Sequence, residues 1–119
     1  MELYLDSADL KEIEESFHQL PFLNGLTTTP TFMHREGVSD IDSLIVKLSK
    51  IVPVLQIEAL GNKAEDVLKE AHRQLNLGLD PKKTVFKIPV SLEGVKACSL
   101  LRKEGLMVNV HLVYTRSEE

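Results

Sequence analysis

The stretch "KTVFKIPVSL", residues 83–92, decides how this chain is read. Thr84, Val85, Phe86, Ile88 and Val90 form a short β-prone run of the kind that makes a buried strand, with Lys87 in its middle. Side chains alternate along a strand, so Val85, Lys87 and Pro89 share one face while Phe86 and Ile88 share the other. Lysine is almost never fully buried without a partner. A strand that carries one needs either an internal ion pair, with Asp6 or Glu58 as the acid, or a chemical use for the amine.

Outward from this strand the chain alternates. "ELYLD" (2–6), "FLNGLTT" (22–28) and "PVLQIEAL" (53–60) read as earlier strands, and "LMVNVHLVY" (106–114) as a fifth. Helical patterns separate them. "SADLKEIEESFHQL" opens with Ser7 as its cap and sets Leu10, Ile13, Phe17 and Leu20 at helical spacing before Pro21. "SDIDSLIVKLSKI" opens with Ser39 and Asp42 at capping-box spacing, and Asn62 with Glu65 repeats that pattern before "AEDVLKEAHRQLNLG". "SLEGVKACSLLRKEG" (91–105) runs to Gly105, a helix stop.

This alternation predicts a single α/β domain over residues 1–119, with parallel strands and right-handed crossovers. Two architectures fit: an open doubly wound sheet and a (β/α)8 barrel. No Gly-rich phosphate loop follows the first strand, which counts against a nucleotide-binding sheet. A complete barrel runs to about 250 residues. The chain has 119, so the expectation is a partial (β/α)8 TIM barrel of five parallel strands alternating with four helices.

A formal net charge of −4 argues against nucleic acid or an anionic membrane as the main partner. No apolar stretch reaches the length of a membrane span, and "MELYLDSADL" lacks the features of a signal peptide. Cys98, the single cysteine, has no internal disulfide partner and suits a reducing cytoplasm; its plain reading is a buried helical thiol. His18, His34 and His72 stand at spacings that make no metal set, so no metal is expected.

Strands of a parallel sheet are covered on both faces and should read as nearly continuous apolar runs. Here each is interrupted towards its C-terminal end: by Asp6, by Thr27, Thr28 and Thr29, by Gln56 and Glu58, by Lys87, and by Asn109 and His111. Each has an ordinary explanation alone, as a cap, a strand-end residue reaching water or a hydrogen-bonded core histidine. Together, on an inward face, they converge where barrel enzymes keep their chemistry. Desolvation disfavours an ammonium, and a free amine can form a Schiff base with a carbonyl substrate. The protonated imine is an electron sink that lets a neighbouring carbon–carbon bond break or form. That chemistry needs a proton shuttle, which Asp6 and Gln56 are placed to serve.

"MELYLDSAD", "GLTTTPT", "VLQIEAL", "VFKIPVSLEGV" and "EGLMVNVHLVY", in this order, closely resemble the small transaldolase family, which includes fructose-6-phosphate aldolases. The likeness covers nearly the whole chain but only the N-terminal half of the family's barrel. It implies a class I aldolase or transaldolase handling dihydroxyacetone units of sugar phosphates, without metal or organic cofactor. By position Lys87 matches the Schiff-base lysine, Asp6 the aspartate that assists proton transfer and contacts substrate hydroxyls, and Gln56 the residue that helps hold the catalytic water. Thr28 and Thr29 fall in the substrate-binding "TTNP" segment, where Thr29 replaces asparagine. His111 stands where the family usually has a threonine that positions the water. The family's phosphate-binding arginine and serine have no counterpart before the chain stops at "YTRSEE". A five-strand piece exposes strand edges and barrel interior, so the expectation is a homo-oligomer or assembly with a complementing half-barrel, and weak activity alone.

Overall fold

A computed structural model describes residues 3–7, 9–28 and 40–111. Every second residue of the Lys87 strand is sealed from water. In β4 (Thr84–Pro89), Thr84, Phe86 and Ile88 are buried, whereas Val85, Lys87 and Pro89 are half-buried. The same alternation marks β3 (Leu55–Glu58), where Leu55 and Ile57 are buried and Gln56 and Glu58 are not. The remaining strands are β1 (Tyr4–Asp6), β2 (Gly25–Thr28) and β5 (Met107–His111). The helices are α1 (Leu10–Gln19), α2 (Ile41–Ile51), α3 (Ala64–Leu75) and α4 (Leu92–Lys103). Each strand begins one to three residues later than its sequence pattern suggested.

All pairings are parallel and the strands lie in the order β1-β2-β3-β4-β5. A doubly wound sheet reverses its strand order part-way and carries helices on both faces. Strictly sequential order winds every crossover the same way, which stacks the helices on one side and leaves the other as a barrel interior. The chain is therefore part of a (β/α) barrel, with five strands and four helices among the described residues.

The core lies between sheet and helices. Leu26, Leu55, Ile57, Phe86 and Ile88 from the strands meet Ile13, Ile45, Leu48, Ala71, Ala97 and Leu101 from the helices, all at 1% exposure or less. Burying one such large side chain contributes about 2–3 kcal/mol.

Helix starts depart from the sequence reading by a residue or two. Asp9, not Ser7, caps α1, accepting from the N–H groups of Lys11 at 3.0 Å and Glu12 at 3.3 Å; Ser7 Oγ instead accepts from Asp9 N–H at 3.1 Å. Leu20 lies beyond α1 as its C-cap. Asp40 caps α2 by accepting from Ser43 N–H at 3.1 Å, and Asp42 instead accepts from Arg73 of α3 at 2.8 Å. Ser39 lies outside the described residues. Before α3 it is Lys63 N–H that donates to Asp66, at 3.3 Å, rather than the Asn62–Glu65 pair. Ser91 caps α4 through Gly94 N–H at 2.9 Å, and Gly105 ends the segment at φ +82°, a left-handed position.

Candidate active site

Residues in register on a parallel sheet share a face. Asp6 pairs with Thr27, Thr27 with Gln56, Gln56 with Val85 and Val85 with Met107, forming one row across the inner face. Two residues nearer the C-terminal ends, Glu58 pairs with Lys87 and Lys87 with Asn109. A third row holds Pro89 and the backbone of His111. The sheet thus brings the Asp6, Gln56 and Lys87 positions to one face, and sets His111 in register with Pro89.

Lys87 is half-buried rather than buried, because no second layer covers its face among the described residues. Nor is it tied up electrostatically. The ion pairs among the described residues join His72 to Glu104, Arg73 to Asp42 and Glu70, and Lys96 to Glu93, and none includes Lys87. The internal pair with Asp6 or Glu58 is not formed there.

Thr28 is the exception among the expected site residues. It pairs with Ile57, which pairs with Phe86, and that row faces the helices. Its side chain is fully buried, and Oγ1 has no hydrogen-bond partner among the described residues. Strand alternation puts Thr27 on the Lys87 face and turns Thr28 away from it. Thr29 lies outside the described residues, as does the side chain of His111. Thr27, Glu58 and Asn109, which the sequence shows as polar breaks near the strand ends but which carry no assigned role, also lie on this face. Counting in twos from Lys87 along each strand finds them once the register is known.

Local interactions fix the ends of the strands that carry these groups. Glu93, in the first turn of α4, accepts from Ala64 N–H at the start of α3 at 3.1 Å and pairs with Lys96 at 3.2 Å. The backbone hydrogen bond from Ala64, then the bond from Lys96, hold the Glu93 carboxyl below its usual range. One carboxylate thereby joins the two helix starts that follow β3 and β4. Gly94 allows α4 to begin this close to β4, since a Cβ there would overlap the Pro89 carbonyl oxygen. On the opposite, helix-covered side, Val95, Cys98, Ser99, Arg102 and Lys103 of α4 line a groove of about 460 Å³. Cys98 is half-buried there. Among the described residues, no group of three or more His, Cys, Asp or Glu side chains is arranged to hold a metal ion, and no helix is long and apolar enough to cross a membrane.

The family model described as transaldolase/fructose-6-phosphate aldolase matches residues 3–118. A probable transaldolase of Syntrophobacter fumaroxidans is 36% identical over 119 residues, covering 97% of this chain and 52% of that protein. Probable transaldolases of Dictyoglomus turgidum and Methanococcus maripaludis are 34% and 35% identical, each covering 99% of this chain and 53% of their own length. The chain spans about half the length of the curated relatives it matches.

Proposed function

The chain belongs to the transaldolase/fructose-6-phosphate aldolase family, and from that premise we propose that it carries the Schiff-base half of an aldolase or transaldolase acting on dihydroxyacetone units of sugar phosphates such as fructose 6-phosphate. The observation that carries this reading is Lys87, half-buried, free of ion pairs among the described residues, and on one sheet face with Asp6 and Gln56. Lys87 attacks the substrate carbonyl, and loss of water leaves an iminium that accepts the electron pair of the adjacent carbon–carbon bond. Asp6 moves the proton of the substrate hydroxyl as that bond breaks, and Gln56 holds the water that later releases the product. Thr29 and His111 complete substrate binding. A reducing cytoplasm suits a chain whose lone cysteine sits beside none other.

The test is to incubate the protein with dihydroxyacetone or fructose 6-phosphate, reduce with borohydride and weigh it by mass spectrometry. An adduct on Lys87, absent from Lys87→Ala, is expected. A folded sample without adduct refutes the reading.

A second reading is a non-catalytic half-barrel that associates with itself or with a complementing half. It draws on Met107 and Val110 of β5, the edge strand among the described residues, which are 38% and 37% exposed, and on the inner face, which no second layer covers among those residues. Sedimentation showing an assembly, combined with no adduct, is the result that favours it.

A further inference from the structure

We propose that Glu58 is the acid–base group for imine formation at Lys87. The inference rests on the reading of Lys87 as a Schiff-base lysine and adds a residue to that step. Glu58 and Lys87 are direct partners in the β3–β4 ladder, on the same face, and both are half-buried. Adjacent strands lie ~4.8 Å apart, so the two side chains leave the sheet side by side. The alignment is fixed from both ends. Ala59 N–H donates to the Lys87 carbonyl at 3.0 Å, and Gln74 Nε2, on α3, donates to the Glu58 carbonyl at 3.2 Å.

Among the described residues, the other neighbours of Lys87 do not carry an exchangeable acid. Its partner on β5 is Asn109, and along β4 its same-face neighbours are Val85 and Pro89. Gln56 does not titrate. Asp6 stands three strands away, ~14 Å measured along the sheet. His111 pairs with Pro89, one row further on. Among the described residues, Glu58 is the carboxylate that lies one strand from the amine.

Nζ of Lys87 attacks the carbonyl carbon, and the amine proton moves to the oxygen to give a neutral carbinolamine. Glu58, as the carboxylic acid, then gives its proton to the carbinolamine hydroxyl. The carbon–oxygen bond breaks and the nitrogen lone pair closes the C=N bond. Water, an iminium and the Glu58 carboxylate result, and hydrolysis runs the same transfers backwards.

The test uses a carbonyl that needs no sugar site. The full chain is treated with formaldehyde and cyanoborohydride, and peptide mass spectrometry gives the methylation rate of Lys87 relative to exposed Lys82. In Glu58→Gln this ratio is expected to fall by about 100-fold, the lower end of what a positioned acid–base group supplies. Glu58→Asp, which keeps a carboxylate, should recover at least a tenth of the loss. An unchanged ratio in folded Glu58→Gln overturns the proposal, and so does Glu58→Asp behaving like Glu58→Gln. Loss of the dihydroxyacetone adduct with the formaldehyde ratio still dependent on Glu58 counts against the aldolase reading alone.

Discussion

Thr28→Val exchanges a hydroxyl for a methyl group of nearly the same shape, at a position with 0% exposure and no hydrogen-bond partner for Oγ1 among the described residues. An unsatisfied buried hydroxyl costs about 1–3 kcal/mol of desolvation. Both residues are β-branched and stiff at χ1, and both suit a strand, so backbone terms nearly cancel. The substitution also places a methyl group against Ile57, its register partner. The net expectation is a gain of about 1 kcal/mol, the low end of the range because a neighbouring group relaxes towards a lone hydroxyl. For a chain of this size that raises Tm by about 4 °C. Urea unfolding followed by circular dichroism should show a higher midpoint with an unchanged slope. Adduct formation at Lys87 should be unaffected, since Thr28 faces the helices. A loss of stability would mean the hydroxyl is hydrogen-bonded, and a loss of adduct at unchanged stability would return Thr28 to the site.

Phe86→Ala empties the centre of the sheet–helix interface, where Phe86 is 0% exposed, and should cost about 3–5 kcal/mol. A urea midpoint within experimental error of the parent would show that this interface is not the core. Glu93→Gln tests the link between the starts of α3 and α4. The folded carboxyl lies below its ordinary value of 4.5, so its contribution is present above that value and is lost as pH falls through the folded one. Wild type should therefore be more stable than Glu93→Gln at neutral pH, and the gap should close in acid. A gap that does not vary with pH removes the carboxylate from the argument.

Much of the fold can be read from one strand. Lys87 among Val85, Phe86, Ile88 and Pro89 announces alternation, and the strand–helix rhythm around it limits the choice to two architectures. Sequence leaves the final choice to weak signals, because strand order is a property of pairings between residues that are distant along the chain. The site is legible in the same degree. Asp6, Gln56 and Lys87 stand out as polar breaks in apolar runs. Thr27, Thr28 and Thr29 also break the run, but three consecutive β-branched hydroxyls carry no parity; the pairing of Thr27 with Gln56 sets it. Helix caps are blurred for a related reason. Ser7 and Asp9, or Ser39, Asp40 and Asp42, all offer oxygen atoms, and the winner is whichever lets Ile13 or Ile45 reach the core.

The sequential strand order has a kinetic consequence. Because each strand pairs with its immediate predecessor, every ladder among the described residues closes a loop of one strand–helix unit. The entropic toll of closure is thus divided into small, repeated instalments instead of falling on one long-range pairing. Such a sheet can grow from any adjacent pair and add units at its margins, as stacked repeats do. Amide protons in β3, flanked by strands on both sides, should then exchange with solvent more slowly than those of β1 and β5, and the gradient from centre to margin would trace the order in which the units let go.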